Sequence, residues 1–145
     1  MFSGAKVFNQ PIGNWDTSSV TYMDAVFQVA SEFNQDISSW DTSNVTSMGW
    51  MFAYAVKFNS NISNWNVSNV VNMDRLFVYA KSFNQNISNW NVRRVNKMNL
   101  MFFEANAFNQ DLANWTVDNV TECSQFSLNT PNWTLPKPNF TNCTN

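Results

Sequence analysis

The chain has 145 residues, 44% hydrophobic and 12% charged, with a net charge of −2 and no histidine. That length and composition give a folded domain with a real core and exclude a disordered chain. The weak charge leaves no basic face for nucleic acid or a membrane surface, the absent histidine removes the commonest general base and metal ligand, and no apolar run is long enough to span a bilayer.

The chain repeats itself every 25 residues. Phe8, Phe33, Phe58, Phe83 and Phe108 keep that spacing, and so do Trp15, Trp40, Trp65, Trp90 and Trp115. Val20, Val45, Val70, Val95 and Val120 form a third ladder, and Ala5, Ala30, Ala55, Ala80 and Ala105 a fourth. Asn9, Asn34, Asn59, Asn84 and Asn109 follow the phenylalanines. A period of this length marks a solenoid, propeller or array, and here it suits one strand and one helix per coil, within the leucine-rich-repeat range.

In chain order, the second coil shows the unit. Small, polar, aromatic, polar and aliphatic residues alternate through Ser38–Thr42, which predicts a strand near 37–42 with Trp40 buried. Its exposed slots make two polar ladders, Asn14, Ser39, Asn64, Asn89, Asn114 and Asp16, Asp41, Asn66, Asn91, Thr116. Val45, Met48, Phe52 and Ala55 then fall on one face of a helix predicted near 44–55. Ser18, Ser43, Ser68 and Asp118 are suitable N-caps, with Arg93 the exception. The expected fold is α/β: a right-handed, leucine-rich-repeat-like solenoid with one short parallel strand and one helix per coil. The asparagine after each phenylalanine is expected to point inward and to bond along the solenoid axis. Residues 1–126 make about five coils, and 127–145 an irregular C-terminal cap.

The run Phe33–Met48, FNQDISSWDTSNVTSM, followed by Met51-Phe52 and Ala55, resembles the BspA-like surface-protein repeat, also described as the mycoplasma lipoprotein repeat of unknown function. The resemblance covers about residues 1–126. It implies a leucine-rich-repeat-like solenoid on cell-surface or secreted proteins, often linked to adhesion. The family is not known for catalysis, so no catalytic residue is carried over. The chain departs from the pattern where Cys123 replaces the methionine of the slot held by Met23, Met48, Met73 and Met98.

Nine Asn-x-Ser/Thr sequons occur, at Asn44, Asn61, Asn66, Asn86, Asn114, Asn119, Asn132, Asn139 and Asn142. That is roughly twice the number random order gives, though copying of the repeat multiplies some of them. In an extracellular setting, N-linked glycans are expected at Asn61, Asn86, Asn132 and Asn139 first, then at Asn66, Asn114 and Asn142. Asn44 and Asn119 are doubtful. Cys123 and Cys143 read as one disulfide in that setting, worth about 3 kcal/mol in the chain-entropy model; two free thiols are the alternative in a reducing compartment. Trp50 stands outside the core pattern and is expected to face out. Asp16 and Asp41 could offer oxygen ligands to calcium, but a solvated polar face is the simpler reading.

No histidine, Cys–His pair, phosphate loop or isolated carboxylate pair suggests catalysis, so a non-enzymatic protein without a cofactor is expected. The first functional expectation is an extracellular or cell-surface structural repeat, a subunit of a glycosylated fibre. The alternative is an adhesin that binds glycan or protein through the polar strand face. Nucleic acid and membrane insertion are not expected. Met1 falls in the slot of Met51 and Met101, so the chain is expected to begin in mid-coil, with Phe8, Ile12 and Trp15 on an uncovered layer. Two arrangements would cover it, more chain upstream or head-to-tail self-association; the second is the favoured expectation, with Phe8, Trp15, Trp133 and Phe140 at the subunit junction.

Overall fold

An aspartate or asparagine with serine two places on can close an Asx turn, in which the side-chain oxygen accepts the later backbone N–H. This chain does so repeatedly. Asp16, Asp36, Asp41, Asn61, Asn66 and Asn86 each accept from the serine two residues on, at 2.9–3.1 Å. The segment expected as a strand is therefore bent. The Trp40 N–H donates to Ile37 O at 3.1 Å and the Val45 N–H to Thr42 O at 3.0 Å, each closing a tight turn. The chain is described from a computed structural model covering residues 1–144.

The segment expected as a helix is a run of turns as well. The Met51 N–H returns to Met48 O, Ala53 to Trp50 O and Ala55 to Phe52 O, at 3.0–3.2 Å. The amides between them leave the coil: Met48, Trp50, Phe52 and Tyr54 donate to Asn72, Asp74, Leu76 and Val78 of the next coil at 2.8–3.0 Å. Alternate amides thus hold the turn and the stack. Such a pattern needs left-handed backbone, and Trp50 (φ 62°) and Tyr54 (φ 60°) supply it as the third residues of two turns. Each coil repeats this at Ala25 and Val29, Arg75 and Tyr79, Leu100 and Glu104, and Gln125 and Asn129.

The α/β expectation is therefore overturned. Among the described residues there is no helix, and paired strand is limited to single parallel bridges joining Tyr22, Ser47, Asn72, Lys97 and Glu122 in succession. The leucine-rich-repeat-like unit of strand plus helix falls with it, as does the crossover argument for handedness. The physical cause is local. Serine, asparagine and aspartate compete for backbone hydrogen bonds, and the alternation across 38–42 comes from successive turns rather than a pleat. What survives is the 25-residue register and its burial: Trp40, Thr42, Val45, Met48, Phe52 and Ala55 are all buried.

The core is a set of ladders along the stack. Phe27 and Phe33 stack at 3.9 Å within their coil, as do Phe52 with Phe58 and Phe77 with Phe83. Each ring also meets its counterpart in the next coil, with Phe27–Phe52 at 5.6 Å and Phe33–Phe58 at 6.1 Å. Four tryptophan rings of this ladder each tie two coils together. The Nε1–H groups of Trp40, Trp65, Trp90 and Trp115 donate to Ile12, Ile37, Ile62 and Ile87 O at 3.1–3.2 Å. A buried indole N–H requires such a partner.

The run of turns continues past the expected 126/127 boundary to Asn132, and Trp133 lies one period after Phe108. Cys123 and Cys143 form a disulfide, with Cα atoms 5.9 Å apart, and tether the tail over the last coil.

Candidate functional site

The two ends of the stack differ. At the C-terminal face the rings turn on edge. Trp133 meets Phe102 at 76° and Phe108 at 79°, and Phe140 meets Phe126 at 71°. Edge-to-face rings offer no flat face for another stacked ring. Trp133 is only 5% exposed, its Nε1–H is bonded to Gln110 O at 3.0 Å, and the Lys137 ammonium lies 5.2 Å from its ring centre. At the N-terminal face Phe2 and Phe8 stack in parallel at 3.9 Å and are only partly buried, with no ring stacked on their outer side among the described residues. Trp15 is 43% exposed and Tyr22 71%, and with Met1, Val20 and Trp40 they line an apolar hollow. Of the four expected junction residues, Phe8 and Trp15 thus lie on an open face, whereas Trp133 is buried at the other end and Phe140 half-buried against Phe126.

A row of amides runs up one side. Asn9 Oδ1 accepts the Asn34 N–H at 2.9 Å; the Asn34, Asn59 and Asn84 oxygens accept from Asn59, Asn84 and Asn109 at 2.8–2.9 Å. Asn109 Oδ1 accepts from Thr134 and Leu135 at 3.0 Å. The expected bonds along the axis are present, but the direction is corrected: Asn9, Asn34, Asn59 and Asn84 are exposed and Asn109 half-buried. The side-chain oxygen alone reaches the backbone, and the Nδ2 groups of all five have no partner among the described residues. The Nε2 groups of Gln35, Gln85 and Gln110 reinforce the row by donating to Asn9, Asn59 and Asn84 Oδ1 at 2.8–3.0 Å.

The sequons separate by what holds the side-chain amide. Asn61, Asn66 and Asn86 are exposed, with Oδ1 in an Asx turn and Nδ2 unengaged among the described residues. Asn114 and Asn139 are exposed, with no side-chain bond among the described residues. Asn132 Nδ2 donates to Asn106 O at 2.8 Å, and Asn142 Nδ2 to Asp118 O. Asn44 and Asn119 are held in the same way by Ser18 and Arg93 O, both at 2.7 Å. Modification at these four positions has to share or break a bond between coils.

Charge is confined to the surface. The Ser18, Ser38 and Ser43 hydroxyls and backbone N–H groups hold the carboxyls of Asp16, Asp36 and Asp41 below their usual value. Asp16 and Asp41 are therefore occupied as turn acceptors. Lys97 pairs with Glu122 at 3.0 Å and Lys57 with Glu32 at 2.6 Å, each across one coil boundary. Trp50 is half-buried rather than fully outward, with the Arg75 guanidinium 4.8 Å from its ring centre. Sequence reasoning did not set out the second ring ladder, Phe2, Phe27, Phe52, Phe77 and Phe102, although its spacing is the same.

These features define a repeat protein of stacked 25-residue coils. The family model described as Mycoplasma protein of unknown function, DUF285, matches residues 1–70 and again 37–140. The chain belongs to that family. No curated protein and no solved structure matches it.

Proposed function

We propose that the chain is a non-enzymatic structural module of an extracellular or cell-surface assembly, joined to a further coil of the same repeat at its N-terminal face. The open Phe2–Phe8–Trp15 layer carries this reading, because every later layer of the same kind has its N-terminal side covered by the coil before it. The disulfide and the exposed sequons support an extracellular setting, and the resemblance to BspA-like surface repeats agrees with it. Head-to-tail polymerisation of identical chains is the less favoured form of this assembly, because Trp133 is buried on edge against Phe102 and Phe108 and offers no flat ring to a second copy.

Oxidative footprinting tests the reading. In the isolated chain Trp15 and Tyr22 should be modified readily; in native assembled material they should be protected. Equal modification in both would remove the junction. Glycopeptide mass analysis tests the glycans, with Asn61, Asn66 and Asn86 as the expected sites ahead of Asn132 and Asn142. A second reading, an adhesin, is favoured by the Asn9–Asn109 row, whose donors are fixed in place and unpaired among the described residues.

A further inference from the structure

We propose that Tyr54 and Tyr79 form an oxidative modification site, at which a peroxidase and hydrogen peroxide join the two rings carbon to carbon. The product is a dityrosine within one chain, stapling two successive coils. The inference stands apart from the junction at the N-terminal face and from the glycan sites.

The pair is held ready for coupling. Tyr54 and Tyr79 lie one period apart in the same slot, with φ 60° and 56°, so their side chains leave equivalent points of successive coils. The Tyr54 N–H donates to Val78 O and the Tyr79 N–H to Phe103 O, both at 2.8 Å, which fixes the backbone on either side of the pair. The rings lie 4.8 Å apart between centres and within 8° of parallel. Parallel core rings of successive coils lie further apart, with Phe27–Phe52 at 5.6 Å and Phe33–Phe58 at 6.1 Å. Rings already face to face need no encounter step before a bond forms between them.

The surroundings limit the choice of partner. The same slot holds Val29 one coil earlier and Glu104 one coil later, so the phenols come as a pair. Tyr79 also meets Phe103 at 5.6 Å, tilted by 59°, but that ring has no hydroxyl hydrogen to give up. Tyr54 is 39% exposed, which leaves one edge of the pair open to an oxidant. Tyr22, the third tyrosine, is more exposed still but lies on the N-terminal face, outside this stack.

The step balances with peroxide as the oxidant. Each phenol gives up one electron and one proton, and these reduce one hydrogen peroxide to two waters. The two tyrosyl radicals pair their electrons in a carbon–carbon bond between positions ortho to the hydroxyls. Each of those carbons then releases its proton while the ring oxygen takes one up from water, which restores both phenols.

The full chain, treated with a haem peroxidase and limiting hydrogen peroxide at high dilution, tests this. Its monomer should lose the mass of two hydrogen atoms and gain dityrosine fluorescence. Peptide mapping should place the bond between Tyr54 and Tyr79, in about tenfold excess over any bond to Tyr22. The coupled chain should melt several degrees higher, because the bond closes a loop in the unfolded chain. Tyr22→Phe should couple as the parent does. Tyr79→Phe keeps a ring in the stack and should lose the intrachain product. The proposal is overturned by chains joined only to one another, by comparable coupling through Tyr22, by Tyr79→Phe yielding as much intrachain dityrosine as the parent, or by an unchanged melting temperature. The peptide map reads the unmutated chain and stands even if a variant folds poorly.

Discussion

Val29 is β-branched, yet its φ is 60°, and its counterparts at the two ends of the stack are Gly4 and Asn129, the residues that tolerate that conformation. Left-handed backbone costs a side-chain-bearing residue about 1–2 kcal/mol, partly offset on changing to glycine by about 0.5–1 kcal/mol of chain entropy. Val29→Gly should therefore leave stability level or raise it by up to about 1.5 kcal/mol, and a denaturant melt showing a clear loss would contradict the turn assignment. Asn96 Oδ1 is buried without a partner among the described residues, in a slot where Val71 stands one coil earlier. Asn96→Val should stabilise by about 1 kcal/mol, read in the same melt. The pH dependence follows from the side chains present. Asp16, Asp36 and Asp41 are held below the usual 3.8, so their contribution is present above that value and lost as pH falls through the depressed one. Lys97 is held above 10.5 by Glu122, so its contribution is present below that value and lost as pH rises through the raised one. With no histidine in the chain, the melting temperature should be flat between about pH 5 and 9. A transition near neutrality would show a titrating group that the surface arrangement lacks.

One coil is the element of this fold, and it is held by rings inside and amides at its edge. Trp65 is buried, stacks parallel to Trp40 at 6.4 Å and donates to Ile37 O at 3.1 Å. Trp65→Ala should cost about 3–5 kcal/mol, and a loss below about 1 kcal/mol would place the ring in solvent. At this scale the sequence was legible in one respect and opaque in another. The period exposed which residues share a ladder and which rings are buried. It did not expose the backbone. Val45, Met48, Phe52 and Ala55 have helical spacing and are buried, but spacing reports only the side on which a side chain falls. Turns that reverse every two or three residues put the same residues inside. The one local clue was chemical: an Asx residue with serine two places on, seen from Asp16 to Asn86, marks a turn. The inward reading of Asn34 failed for a related reason. A side chain can serve the stack through one atom while the other faces water.

At the scale of the molecule, the account turns on the contrast between an open first layer and a closed last one. Stacked repeats gain stability from each neighbour they cover, so an uncovered layer is the place where one more coil adds most. Residues 26–50, placed directly before Met1, restore the register, because Met1 and Val26 occupy the same slot. The added coil would offer Oδ1 of its asparagine to the Asn9 N–H and a carbonyl to the Trp15 indole, as Asn9 and Ile12 do for the next coil. The direct measurement is a thermal melt of this extended chain beside the parent, with Trp15 emission followed in both. The account predicts a melting temperature several degrees higher, still in one transition, with Trp15 shifted to the blue and shielded from a soluble quencher. An unchanged melting temperature with Trp15 still open to the quencher would contradict it.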